Sequence, residues 1–213
     1  MTEYLTEQEQ VELLKNWIKQ YSLVILAGVL VAVSIISGWR YWQHRQAKIY
    51  SHASSVYDEM LTVRAQNDQE ATVVQANKLF SHYSQTTYSQ MAAFMLARSA
   101  IMKKDYQEAE KQFRWIIDHS HIASMKQIAR LRLARLLVAT KHPEESIKLL
   151  ETVDDDTFAG LTDEVRGDAY LAAKQIQPAR EAYKKALTEL PNADVIRPLL
   201  QMKYDNLVAQ LDN

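Results

Sequence analysis

The chain has 213 residues, with 25 lysines and arginines against 26 aspartates and glutamates, so its formal net charge is −1. A near-neutral chain lacks the basic surface that nucleic-acid binding requires, and we expect no nucleic-acid partner. The absence of cysteine excludes disulfides, thiolate metal ligands and cysteine nucleophiles. Only four glycines and four prolines occur, and this scarcity of turn formers predicts an all-α fold.

The first predicted element is a charge-free run from Ser22 to Trp39. The twenty residues between Lys19 and Arg40 would rise about 30 Å as a helix, which matches the apolar core of a bilayer. Tryptophan and tyrosine flank both ends, where such rings prefer the membrane interface. We therefore predict a tail over residues 1–20, a single N-terminal transmembrane helix over 21–39, and a lipid bilayer around that helix.

The charges beside this helix leave its orientation open, because two lysines precede it closely and three basic residues follow it. Early glutamates and the lack of a small-residue cleavage site favour an uncleaved anchor over a signal peptide. Ala27, Ser34 and Gly38 lie on one stripe of the helix, because at about 100° per residue Ser34 and Gly38 each fall within about 20° of Ala27. Such a stripe either faces lipid or docks against another membrane helix.

The second predicted region, residues 40–213, contains a repeated pattern. Its last copy has the spacing of the tetratricopeptide signature, a unit of about 34 residues, in Gly167, Tyr170, Ala179, Tyr183, Ala186 and Pro191. Two weaker copies keep the offsets of 12 and 4 residues, in Ala97, Ala109, Phe113 and in Ala134, Ser146, Leu150. Small residues would let paired helices approach, and large ones would fill the space between repeats.

These copies predict a helical solenoid with three clear repeats. A degenerate first unit would precede them, with one helix over residues 40–65 and another over 70–82. A capping helix would follow over residues 194–211. The first junction between repeats carries an insertion near His119–Met125, and Pro143 and Pro178 suit the first turns of second helices.

Motifs for chemistry are missing from the sequence. The six histidines form no metal-binding pair at helical spacing, and no nucleophile elbow, phosphate loop or dinucleotide turn occurs. We therefore expect no catalytic residue, no metal site and no cofactor. Asp154, Asp155 and Asp156 are expected to form a solvated run between helices.

Several segments follow one another in an order that is typical of one family. They are the acidic tail, the junction Gly38-Trp39-Arg40-Tyr41-Trp42, the repeat segment Leu131–Arg135, Arg166-Gly167, and the ending Gln201-Met202-Lys203 with Asn206-Leu207. In these segments the chain resembles the YfgM-type ancillary subunits of the bacterial SecYEG translocon. It implies an inner-membrane, single-pass protein with its N-terminus in the cytoplasm and the tetratricopeptide domain, residues 40–213, in the periplasm. It also implies association with SecYEG, with a membrane-anchored periplasmic chaperone of the prolyl-isomerase type, and with exported client proteins.

The concave face of the predicted repeats is the candidate binding groove. Arg98, Arg135 and Asp168 occupy equivalent positions on the first helices, and the same face would carry Met91, Phe94, Ile101, Met102, Leu131, Val138, Leu161, Glu164 and Leu171. Arginines that bind carboxylates, beside adaptable methionines, suit a peptide. Alternatively, the arginines pair with acids of the stack itself. The alternatives to an export scaffold are a membrane-tethered tetratricopeptide scaffold or stress-response regulator not dedicated to export and, with less support, an enzyme.

Overall fold

The computed structural model describes residues 7–190 and 196–211, which contain helices and no strand. The all-α prediction is therefore confirmed for these residues. The chain divides into two compact units, Met1–Ser51 and His52–Asn213. The helices are α1 Glu7–Ala65, α2 Gln69–His82, α3 Thr87–Met102, α4 Tyr106–His119, α5 Ala123–Ala139, α6 Pro143–Leu149, α7 Ala159–Ala172, α8 Ile176–Glu189 and α9 Arg197–Leu211.

The first unit contains the greater part of α1. Among the described residues no single helix combines the length and apolar composition of a membrane span, but two arms of α1, Val11–Val24 and Leu26–Ala65, do so together across a bend of 54°. Aromatic pairs flank the apolar run, with ring centroids 5.5 Å apart for Trp17–Tyr21 and for Trp39–Trp42. The transmembrane helix at residues 21–39 stays a prediction.

The second unit pairs its helices as the repeat pattern requires, with close packing of α3 on α4, α5 on α6, and α7 on α8. The small and large residues that set the register are buried. Their exposed fractions are 0–2% in the sets Ala97, Ala109, Phe113, then Ala134, Ser146, Leu150, then Ala179, Tyr183, and Gly167 is buried with them. The Oγ of Ser146 donates a hydrogen bond to the carbonyl oxygen of Ala134 at 3.0 Å. The register of the three repeats is confirmed.

The predicted outer units also pack against the repeats. The last turns of α1 contribute buried Ala53, Tyr57 and Met60 to a cluster with Ala76 and Leu79 of α2. At the other end, Leu200 and Leu207 of α9 pack into the cluster around Tyr183. The first helix of the degenerate unit ends at Ala65, as predicted, while residues 194 and 195 of the predicted capping helix lie outside the described residues.

The turns between paired helices repeat one backbone conformation four times. Asn67, Lys104, Lys141 and Lys174 have φ angles of 60°, 63°, 68° and 61°. In each turn this residue donates its N–H three residues back and the next residue donates five residues back, as Lys174 does to Leu171 and Gln175 to Tyr170. This is the Schellman termination of a helix, in which glycine is the usual residue. The turn at Asn67 shows that the degenerate first unit shares the repeat geometry.

A glycine at Lys174 should therefore stabilise the protein. The left-handed conformation costs a residue with a Cβ roughly 1–2 kcal/mol. Glycine avoids this cost, but it loses more conformational entropy on folding, so the net gain in stability is smaller. We expect Lys174→Gly to raise the free energy of unfolding by about 0.5–1 kcal/mol in thermal denaturation. The neighbouring Ala173 has a φ of −78°, so Ala173→Gly should lower stability, and a loss in both variants would contradict the strain assigned to Lys174.

Two local expectations need correction. The insertion predicted near His119–Met125 does not form a long loop, because only residues 120–122 separate α4 from α5. The extra residues of this junction lie mainly within α4 and α5, which are longer as a result. The predicted solvated run of aspartates is wrong for Asp154, whose side chain is 17% exposed and pairs with Arg130, itself 9% exposed. Arg130 donates from Nε and Nη2 to one carboxylate oxygen of Asp154, at 3.0 and 2.8 Å, and from Nη1 to the carbonyl of Leu149. This pair fixes the connection between α6 and α7.

Candidate partner-binding groove

The residues assigned to the candidate groove differ in exposure. Those exposed to solvent are Met91, Arg98, Ile101, Met102, Arg135 and Leu171, and those partly buried are Phe94, Val138, Leu161 and Asp168. Leu131 and Glu164 are buried, at 3% and 8% exposure. Leu131 packs with Ala134, Leu150 and Val165, so its placement on the open groove is wrong. It faces the core because its position on α5 is one turn before Ala134.

The two groove arginines differ in their partners. Nη2 of Arg135 donates to Oε2 of Glu164 at 3.3 Å, across the α5–α7 packing. Arg98 is exposed, and no carboxylate in residues 7–190 or 196–211 lies within ion-pair distance of it. The alternative, in which the arginines pair with acids of the repeats themselves, therefore holds for Arg135. The guanidinium of Arg98 has no ion pair among these residues.

Asp168 and Glu164 are bridged by a lysine of the capping helix. Nζ of Lys203 donates to Glu164 at 3.1 Å and to both carboxylate oxygens of Asp168 at 2.7 and 2.9 Å. Asp168 also accepts a hydrogen bond from the hydroxyl of Tyr183 at 2.7 Å. Burial and then this hydrogen bond raise the pKa of Tyr183, so the phenol stays a neutral donor. Lys203 thus neutralises the acidic end of the candidate groove.

Phe94 is covered by a cation. The guanidinium carbon of Arg132 lies 4.7 Å from the centroid of the Phe94 ring, and the Phe113 ring lies 6.2 Å away on the core side. An exposed arginine over an aromatic face can exchange that contact for a carboxylate of a partner. The groove chemistry is therefore mostly cationic near α3 and α5, with Arg98 and Arg132 both accessible.

Sequence reasoning missed Lys203 and Arg132. Lys203 lies on the capping helix, which is not part of the repeat pattern. The sequence therefore gave no indication of where this helix packs against α7, or that Lys203 would reach Asp168. Helical spacing could have predicted that Arg132 is exposed. It directly follows the buried Leu131 on α5, and successive residues of a helix point in different directions. Met102 is exposed but contributes to a different cavity, between α2, α3 and α4, because it lies about 100° round α3 from Ile101.

The accessible side chains of the candidate groove form a surface that is suited to binding. Within the described residues no group of three or more histidine or acidic side chains is placed to hold a metal ion. The accessible surface of the candidate groove combines positive charges with flexible apolar side chains. The charges belong to Arg98 and Arg132, and the apolar side chains are Met91 and Ile101. Such a surface can bind an extended or helical peptide that carries carboxylates.

Comparison with known proteins gives a consistent result over nearly the whole chain. The family model described as tetratricopeptide repeat-like domain matches residues 15–209. Three curated relatives each carry the name ancillary SecYEG translocon subunit. The protein of Escherichia coli strain K12 is 27% identical over 96% of this chain and 98% of its own length. The protein of Neisseria gonorrhoeae is 28% identical over 97% and 100%, and that of Haemophilus influenzae is 24% identical over 95% and 98%. No solved structure matches the chain at a significant level.

Proposed function

Because the chain belongs to the tetratricopeptide repeat-like domain family, we propose that it is a noncatalytic, membrane-anchored scaffold associated with the SecYEG translocon. The observation that supports this most strongly is similarity across 95–97% of the chain to relatives named as translocon subunits. A match confined to the repeats would support only a binding module. Similarity that also covers the tail and the apolar run supports the same anchored arrangement.

The proposal includes a topology. Residues 1–20 lie in the cytoplasm, residues 21–39 cross the inner membrane, and residues 40–213 lie in the periplasm. The charge-free run and its flanking aromatic pairs support the crossing. A C-terminal alkaline phosphatase fusion should be active, since that enzyme requires an oxidising compartment. An inactive but stable fusion would place the repeats inside and favour the regulator that is not dedicated to export.

The proposed role of the candidate groove is to bind a periplasmic chaperone of the prolyl-isomerase type or exported clients through Arg98. We expect Arg98→Glu to reduce recovery of the chaperone in co-purification by about tenfold, because a desolvated arginine–carboxylate contact is worth roughly 1.5–3 kcal/mol. Melting should change little, since Arg98 is exposed and lacks an ion pair among the described residues. Arg135→Glu should instead lower stability, because it places a second carboxylate against Glu164.

The matched control for this test is Lys78→Glu, which makes the same charge change at an exposed position on α2. Recovery of the chaperone should be unaffected by this change. Equal losses for Arg98→Glu and Lys78→Glu would show a general effect of charge. Normal recovery with Arg98→Glu would remove Arg98 from the proposed groove.

The stripe of Ala27, Ser34 and Gly38 is proposed to dock against a membrane helix of the translocon or its chaperone. All three residues are exposed, and no atom lies within 4 Å of a Cβ built on Gly38. Replacing the three by leucine should preserve membrane insertion but block close helix approach. We expect at least about a threefold loss of SecY in mild-detergent co-purification, a change of roughly 0.7 kcal/mol. Unchanged recovery would mean that the stripe faces lipid.

A further inference from the structure

A second cavity lies away from the candidate groove, between α2, α3 and α4 of the His52–Asn213 unit. Its volume is about 780 Å³, within the range of sites that bind compact ligands or peptide side chains. Two of its three walls, α2 and α4, are the second helices of their repeats, whereas the candidate groove is built on first helices. The cavity is therefore a separate surface with its own chemistry.

The floor of this cavity is aromatic. The rings of Phe80 and Trp115 lie with their centroids 4.5 Å apart and both are partly buried. Leu96 lies beside them, and Met102, which is 75% exposed, forms part of the rim. An unbranched, flexible methionine at the edge of an aromatic floor can close over apolar groups of varied shape. The floor thus suits a bulky apolar side chain.

The lining of the cavity carries a net positive charge, because Arg64, Lys103 and Lys111 outnumber Asp105 and Glu108. Glu108 accepts hydrogen bonds from Gln112 and Lys111, while Asp105 accepts the neutral backbone N–H of Glu108 at 3.1 Å and keeps its charge. Among the described residues the side-chain Nζ of Lys103 donates to the amide oxygen of Gln69. Neither Lys103 nor the exposed Arg64 has an ion pair in the part of the chain that the structure describes. An occupant with a carboxylate would complement Arg64 and Lys103.

The walls also offer neutral hydrogen-bonding groups. Asn67, Asn77 and Ser99 line the cavity and can donate to, or accept from, peptide groups. Gln112 is 5% exposed, and its carbonyl oxygen has no donor within the described residues although its nitrogen is bonded to Glu108. A buried acceptor without a donor is unfavourable. A peptide offers both N–H donors and carbonyl acceptors to these side chains, whereas a fatty acid has no N–H donor.

We propose that this cavity is a peptide-binding pocket, which takes a bulky apolar side chain on the Phe80–Trp115 floor and a neighbouring carboxylate at Arg64 and Lys103. The occupant is an extended segment with an apolar residue followed by acidic residues. The pocket goes beyond the scaffold function, because it adds a second peptide site that works independently of Arg98.

The test uses the full chain in detergent and a short fluorescein-labelled peptide with a phenylalanine–leucine pair followed by two glutamates, measured by fluorescence anisotropy. Asn77→Trp fills the cavity and should weaken the peptide at least about tenfold. Lys78→Trp is the matched control, because Lys78 is exposed on the same helix but does not line the cavity, and it should leave affinity unchanged. Arg64→Gln with Lys103→Gln should weaken binding about threefold or more and reduce its salt dependence.

Altered peptides, a distant variant and a competitor decide whether the peptide binds in this pocket. A peptide with lysines in place of glutamates, or serines in place of the apolar pair, should bind at least about tenfold more weakly. A loss of affinity in Arg98→Glu equal to that in Asn77→Trp would place the binding in the candidate groove and overturn the pocket. Equal binding to wild type and Asn77→Trp would also overturn it. Sodium laurate serves as a fatty-acid competitor. If it displaced the labelled peptide at lower concentrations than unlabelled peptide does, that result would also overturn the proposal of a peptide-binding pocket.

Discussion

Gly167→Ala should be among the most destabilising single-methyl additions in the repeat domain. A Cβ built on Gly167 lies 2.4 Å from two ring carbons of Tyr183, a contact that real Cβ atoms do not make. Tyr183 is fully buried and its hydroxyl is held by Asp168 at 2.7 Å, so the ring cannot simply turn away. We expect a loss of about 3 kcal/mol, which lowers Tm by roughly 10 °C in thermal denaturation followed by circular dichroism.

Two comparisons make this expectation specific. Gly160→Ala on the same helix meets the side chain of Leu190, an aliphatic chain at the end of α8 that can change rotamer, so its cost should be well under half as large. Tyr183→Leu removes the ring, and Gly167→Ala in that background should cost less than about 1 kcal/mol. Additive losses in the double variant would contradict the close packing of α7 on α8 at this point.

Asp154→Ala should produce a second large loss of stability. The change leaves the guanidinium of Arg130, whose side chain is 9% exposed, with the Leu149 carbonyl as its one remaining acceptor among the described residues. Removing one member of a buried ion pair costs about 3–5 kcal/mol, and partial exposure of Asp154 places the expectation at about 3 kcal/mol. Urea denaturation should show this as a lower midpoint with little change of slope.

Asp156→Ala is the control for this change, because Asp156 is exposed in the same loop, and it should cost less than about 0.5 kcal/mol. Arg130→Met combined with Asp154→Ala should recover part of the stability, since an apolar side chain replaces the uncompensated charge. Equal effects of Asp154→Ala and Asp156→Ala would show that the pair with Arg130 contributes nothing.

The repeat register could be predicted from the sequence because it depends on residue size at fixed spacing. Gly167 and Tyr183 form a complementary pair, in which the missing side chain of one makes room for the ring of the other. The same offset of 16 residues relates Ala97 to Phe113 and Ala134 to Leu150, and all four residues are buried. Local chemistry predicted helix starts as well, since Pro143 begins α6 and needs no N–H acceptor.

Pairings between distant residues could not be predicted in this way. Nothing in the run of three aspartates distinguishes Asp154, and its burial depends on the α5 side chain that the fold brings beside it. Lys203 reaches Asp168 through packing of the capping helix, which carries no repeat signature. The left-handed backbone conformation in four of the turns was not predicted, because three of them use lysine and not glycine, so composition gave no signal.

The exposure of the residues in the candidate groove was predicted in part, while the groove itself stays a proposal. Equivalent positions in successive repeats predicted that Arg98 and Arg135 are exposed, and both are exposed. Their partners depend on the neighbouring first helix, which supplies Glu164 to Arg135 and leaves Arg98 unpaired within residues 7–190 and 196–211. Leu131 was assigned to the groove by helical spacing alone, but a helix in a stack is covered on two sides, so fewer positions remain open.

Photo-crosslinking from position 98 in native membranes tests the proposed function most directly. A photoreactive amino acid replaces Arg98 in one variant and Gln107 in another, since Gln107 is exposed on α4 and does not belong to the candidate groove. Crosslinked partners are identified by mass spectrometry. The proposal predicts translocon subunits or a periplasmic chaperone from position 98 and not from position 107. Products from position 98 that contain only cytoplasmic proteins, or the same products from both positions, would contradict it.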